Sequence, residues 1–197
     1  MAKANTRKPD LPVKLFTDQK TFEAWLAAHG ATSAGLWLRL AKKAATLEAL
    51  SYQEALESAL CYGWIDGQRK VFDEQTWIQR FTPRGPKSSW SKINRTKAEE
   101  LIERGRMRPP GLAAIDGAKR DGRWDAAYDS HSTSVPPRDF LAALNKSPKA
   151  KAFFATVSRQ NRYAVLYRIQ TAKKAETRQK RIALFVAMLA KHETLYP

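Results

Sequence analysis

The sequence predicts an α+β fold: a small antiparallel sheet of about three strands packed against several helices, with a helix-rich C-terminal half. Three observations predict it. Segments of helical length with periodic apolar positions and N-cap signals run through the whole chain. Three short runs, about 36–42, 64–72 and 75–81, are rich in apolar, β-branched and aromatic residues, and read as strands. The chain has 197 residues, 43% of them apolar, with six tryptophans. That is enough for one domain with a core and short for two.

The elements follow in order. Residues 1–14, with Lys3, Arg7, Lys8 and two prolines, read as a flexible basic tail ahead of a single domain over 15–197. Thr17 or Asp18 caps a helix through Phe22, Trp25 and Leu26 to His29, and Gly30 supplies a left-handed stop. Gly35 to Leu40 is the first strand. Ser51 and Glu54 have capping-box spacing, so a helix runs from there to Tyr62, with Tyr52, Ala55, Leu56, Ala59 and Leu60 inward and Gly63 at its end. Residues 64–72 and 75–81, around Asp73-Glu74, form a hairpin. After the irregular Thr82 to Pro86, Ser88 or Ser89 caps a helix through Arg104, closed by Gly105. Pro109-Pro110 breaks the chain before a short helix through Lys119. Residues 129–137 are a loop and Phe140 to Leu144 a short helix. Two basic helices, about 149–171 and 176–191, complete a helical subregion over about 138–197.

Net charge is +16, and it is uneven. Residues 131–197 hold 13 Lys and Arg against 3 Asp and Glu. Such a field favours anionic partners, and nucleic acid enters as a partner on charge alone. No apolar run reaches the roughly 20 residues that span a bilayer. Met1 to Lys14 lacks a signal-peptide core, so the expected location is the cytoplasm. The single Cys61 excludes an internal disulfide. The three histidines, His29, His131 and His192, are scattered, and no metal or cofactor is expected. Neither a phosphate-binding glycine loop nor a Gly-x-Ser-x-Gly elbow occurs. Asp66 with Asp73 or Glu74 reads as surface charge rather than as an acid–base pair. Cys61, in the last turn of its helix, lies where the dipole disfavours a thiolate.

Several blocks point to a family. Ala59-Leu60-Cys61-Tyr62-Gly63-Trp64-Ile65-Asp66-Gly67 is followed by Gln79 to Arg84, Trp90-Ser91-Lys92-Ile93-Asn94, Gly122-Arg123-Trp124, and Ala172 to Arg178 with Arg181-Ile182. Together they resemble the YdeI/OmpD-associated family over about residues 16–191. The pattern departs at Ala175, where the family carries proline. The resemblance implies a link to bacteriocin protection and to an outer-membrane porin, but no reaction.

The candidate site is a Trp/Arg cluster: Trp64, Asp66, Arg80, Phe81, Arg84, Ser89, Trp90 and Asn94. In one reading the arginines and a helix start at Ser88–Trp90 hold an anion in a pocket walled by Trp64, Phe81 and Trp90. In the other, Asp66 neutralises an arginine and Asn94 ties down a loop. Lys173, Lys174, Arg178 and Arg181 are candidate phosphate contacts. The alternative for Arg178 is a stem laid on the core. The functional expectation is a non-enzymatic accessory or protective protein that binds an anionic small molecule. Nucleic-acid binding through the C-terminal helices, and an enzyme of hidden reaction, are the alternatives.

Overall fold

The computed structural model describes residues 10–43, 45 and 47–197. The first nine residues of the expected tail lie outside that range. The described residues form an α+β protein of four strands and eight helices. They fall into two compact units: the described residues up to 88 with 96–124, and residues 89–95 with 125–197.

The first unit is built on a four-stranded sheet in the order β1-β2-β4-β3. β2 (Leu36–Ala41), β3 (Trp64–Val71) and β4 (Thr76–Pro83) are the three expected strands. The fourth, β1 (Val13–Leu15), begins inside the segment read as tail. It pairs parallel to β2, Val13 against Trp37 and Leu15 against Arg39, so the sheet is mixed rather than purely antiparallel. Three residues with two apolar side chains carry no strand signal by themselves. The non-local pairing makes the strand.

β2 alternates strictly. Leu36, Leu38 and Leu40 are buried, while Trp37, Arg39 and Ala41 are half-buried. The leucines meet Phe22 and Leu26 of α1 (Gln19–His29), Ala55 and Ala59 of α2 (Tyr52–Cys61), and Trp64 and Phe81 from β3 and β4. Asp18 caps α1 by accepting from Thr21 N–H, and the expected capping box of Ser51 and Glu54 is complete on α2. Such caps each contribute about 1 kcal/mol.

α3 (Lys92–Glu103) starts later than the sequence predicts. Ser91 Oγ, rather than Ser88 or Ser89, accepts from Asn94 N–H at 3.1 Å. Ser88 to Trp90 therefore offer no helix N-terminus to an anion. α4 (Pro109–Arg120) opens on its two prolines, where the missing N–H groups cost nothing. It approaches α2 so closely that a Cβ on Gly111 would lie 2.3 Å from the Cys61 carbonyl oxygen. Cys61 is buried for that reason, although it lies opposite Leu56 and Ala59 on α2.

The second unit gathers α5 (Arg138–Asn145), α6 (Pro148–Thr156), α7 (Arg159–Gln170) and α8 (Ala175–Ala190). Phe140, Phe154, Val165, Ile169, Ile182 and Phe185 lie in its core. The helix expected over 149–171 is two. Ser158 adopts an extended ψ of 154° and accepts from Asn161 N–H, which starts α7 afresh. α8 begins at Ala175, the N1 position, where the family's proline would also fit.

Two tests follow from this packing. Gly111→Ala must push the α2 backbone away, an overpacking cost of about 1–3 kcal/mol or more. Gly105→Ala faces open space and meets only the left-handed penalty at φ 64°, about 1–2 kcal/mol. Thermal melts should show the larger loss for Gly111→Ala. In the second unit, Arg178 grips both oxygens of Asp139 at 2.6 and 2.8 Å. That hydrogen-bonded guanidinium holds the Asp139 carboxyl below its ordinary value. The native state therefore binds fewer protons than the unfolded one. The stabilisation is present above the unfolded value near pH 4 and is lost as pH falls through the lower folded value. Melts of Asp139→Asn between about pH 5 and pH 2 should be flatter than those of the parent chain.

Candidate functional site

The site sits on the face of the sheet opposite the leucines. Pairing register places Trp37 of β2 beside Arg80 of β4, so both point to that face. Lys70 of β3 pairs with Ile78 and points the same way. Opposite Arg80 the hairpin register shifts between Asp66 and Arg69, so Gly67 and Gln68 together face one residue. This is a β-bulge, a device that re-aims a side chain. Gln79 Nε2 donates to Gly67 O at 2.7 Å and fixes the bulged strand. A Cβ on Gly67 would lie 3.2 Å from Arg80 Nε, so the guanidinium rests on the bare glycine.

Around it is a cavity of about 470 Å³ lined by Asp10, Leu11, Trp37, Lys70, Arg80 and Thr82. Lys70 Nζ stands 4.6 Å above the Trp37 ring. Arg80 Nε is fully buried and has no hydrogen-bond partner among the described residues. A buried donor left unmatched costs about 1–3 kcal/mol. The cavity thus joins two cations, an aromatic face and a hydroxyl, with the carboxylate of Asp10 among its lining.

The other expected site residues are placed as follows. Trp64 and Phe81 belong to the core rather than to a pocket wall, with Trp64 only 1% exposed. Trp64 Nε1 donates to Gly30 O at 3.2 Å and its ring meets Trp25 edge-on. Asp66 accepts from the Tyr52 hydroxyl at 2.9 Å, and burial together with that carboxylate pushes the Tyr52 pKa up. Asp73 lies beyond the other end of β3. Thr76 hydroxyl and N–H donate to it, Arg39 binds it at 2.6 Å, and its carboxyl is held below the ordinary value. Asp66 and Asp73 therefore do not form a carboxylate pair. Arg84 lines a second cavity, of about 400 Å³, with Arg120, Asp121 and Arg123. There Arg123 holds Asp121 and donates to Ser88 O, both at 2.8 Å. Trp90, Ser89 and Asn94 belong to the second unit; Trp90 is buried, Asn94 half-buried and Ser89 exposed.

In the second unit Arg178 is committed to Asp139 and Ile169 O, and Arg181 donates to Arg168 O. Lys173 and Lys174 are exposed. Cys61 is buried, and burial pushes its thiol up to about 11, so it is no thiolate at neutral pH. Among the described residues no group of three or more His, Cys, Asp or Glu converges as a metal site would require. No described helix is long and apolar enough to cross a membrane.

Of the residues the sequence suggests, Arg80 lines this cavity, whereas Trp37, Lys70, Leu11 and Thr82 are not among them. The available signals were an isolated glycine inside a strand, which marks a bulge, and the alternation of Trp37 and Arg39 with the leucines.

Two family models match the chain. Residues 14–114 match a domain of unknown function, DUF8412. Residues 133–192 match the family described as bacteriocin-protection, YdeI or OmpD-associated. No curated protein and no solved structure matches. The match over 14–114 covers just over half of the sequence, and the match over 133–192, narrower than the resemblance over about 16–191 and holding only the block from Ala172 to Ile182, is to the family that the blocks resemble: the chain belongs to the DUF8412 family and carries, in its C-terminal part, the YdeI/OmpD-associated domain.

Proposed function

We propose that the protein is a non-enzymatic accessory protein that binds a small amphipathic anion on the open face of its sheet. The family description, bacteriocin protection, fits an accessory role of this kind. One observation carries the reading: Arg80 is anchored over Gly67 with its Nε buried and unmatched, facing a cavity it shares with Lys70. A phosphate or carboxylate head would match the guanidinium fork. An apolar body would lie on Trp37 and Leu11.

Other arginines of the first unit make the contrast. Arg39 binds Asp73, and Arg106 binds Glu23 and Glu57 at 3.0 and 2.7 Å. Removing either would take an ion-pair partner from a carboxylate. Removing Arg80 strands no described partner, so its loss should leave stability unchanged or raised.

The test is isothermal titration with phenyl phosphate as probe and inorganic phosphate as control. The parent chain should bind phenyl phosphate more tightly than phosphate. Arg80→Gln should lose at least about tenfold in affinity, the worth of one charge-assisted bond, with an unchanged melt. Gly67→Ala should also weaken binding, because the new methyl displaces the guanidinium without touching the core. Equal binding by Arg80→Gln, or a destabilised Arg80→Gln, would return Arg80 to a structural role.

A further inference from the structure

α7 carries two stripes of distinct character. Val165 and Ile169 enter the core of the second unit. Gln160, Tyr163, Ala164, Tyr167 and Arg168 form another stripe at helical spacing, and they line a cavity of about 340 Å³. His131, from the loop before α5, and Tyr196, from the C-terminal segment, complete the lining. The Tyr163 and Tyr167 rings are 5.8 Å apart, His131 is 5.2 Å from Tyr163, and the Arg168 guanidinium lies 5.8 Å from the Tyr196 ring. Ala164 keeps the floor low.

Tyr196 is held there by design of the hydrogen bonding. Buried Asn161 accepts from Leu195 N–H and Tyr196 N–H at 3.1 and 3.0 Å, and its amide donates to Tyr196 O at 3.0 Å. A buried side-chain amide with its oxygen doubly matched fixes the C-terminal segment in one place.

The lining offers aromatic faces, one amide that both donates and accepts, and one guanidinium, with no carboxylate. The ordinary guest of an aromatic cage is an organic cation. Arg168 opposes one here, and so does the charge of the unit: residues 89–95 and 125–197 hold 15 Lys and Arg against 5 Asp and Glu. A flat heteroaromatic ring attached to a negative backbone meets both constraints. Aromatic platforms within a positive surface are the general means of holding unpaired bases.

We propose that the cup formed by Tyr163, Tyr167 and Tyr196 is a stacking site for an unpaired base of single-stranded nucleic acid, with Arg168 and the basic surface of this unit receiving the phosphates. The site is independent of the Arg80 cavity.

The experiment is fluorescence anisotropy of the full chain at physiological salt with a labelled oligodeoxyadenylate and an abasic strand of equal length. The base-bearing strand should bind about tenfold more tightly, the scale of one stacked base. That preference should disappear in Tyr163→Leu and Tyr167→Leu, which keep bulk but remove the ring. Tyr196→Leu, at an exposed position near the end of the chain, supplies the same reading should either helix variant fail to fold. Equal binding of the abasic strand would reduce the interaction to charge and overturn the proposal. So would adenosine monophosphate that competes as well as the strand, since the site would then belong to a free nucleotide.

Discussion

The alternation of β2 is the constraint on which the first unit rests. A side-chain period of two sends Leu36, Leu38 and Leu40 to one face and Trp37 and Arg39 to the other. Three leucines packed against α1 and α2 hold the strand in one register, since a slip of one residue would put Trp37 and Arg39 into the core. β4 then pairs with β2 in fixed register, and Trp37 falls beside Arg80. The position of Arg80 is thus dictated from the far side of the sheet. The bulge at Gly67 adds the last adjustment: an extra residue lets β3 turn aside while the missing side chain leaves room for the guanidinium. Core and site are two faces of one pairing pattern.

A net charge of +16 invites a single explanation, but the cations divide by what they touch. Arg106 bridges Glu23 of α1 and Glu57 of α2, and its hydrogen bonds with those of Lys97 hold the Glu57 carboxyl below its ordinary value against the opposing effect of burial. Arg178 holds Asp139, and Arg123 holds Asp121. Lys42 donates to the carbonyls of Asp73 and Glu74 in the hairpin turn. These groups are structural because each already commits its donors to a protein partner. Arg80 has the reverse profile: an anchored position and no described partner. That profile stores a small instability at one spot, as binding sites commonly do.

Local chemistry was legible in the sequence, and long-range pairing was not. Asp18, Ser51 with Glu54, Gly30 and the two prolines of α4 act on neighbours within four residues, and each marks a real element boundary, although Gly30 closes α1 in the right-handed region at φ −60° rather than by the expected left-handed stop. Ser91 and Ser158 are also local caps, but they compete with other serines and with a continuous apolar pattern, so α3 was placed early and α6 and α7 were joined. β1 exists through its pairing with β2, which no spacing along the chain reveals. Tryptophan posed a different problem. Trp64 and Trp37 are alike in composition, yet one is sealed in the core and the other lies on the open face. Only the register separates them. The cluster read from the sequence therefore held Arg80 correctly placed on a strand but surrounded it with core aromatics, while its actual neighbours came from β2, β3 and residues 10–11.

The two candidate sites differ in how they use charge, and that difference has a physical consequence. Arg80 has its Nε buried beside Gly67, so a charge-assisted bond to that atom is screened less than one in open solvent. The lysines and arginines of the second unit mostly stand in solvent, where attraction fades within a Debye length of about 8 Å at physiological salt. An anion proposed at Arg80 would be held by fit to one guanidinium fork, and a strand proposed at the tyrosine cup by a sum of many weak phosphate contacts with one stacked ring. A surplus of surface cations cannot substitute for either geometry. It raises the encounter rate for any anion, and under the two proposals the shaped groups, a guanidinium on a bare glycine or three rings around an alanine, decide which anion stays.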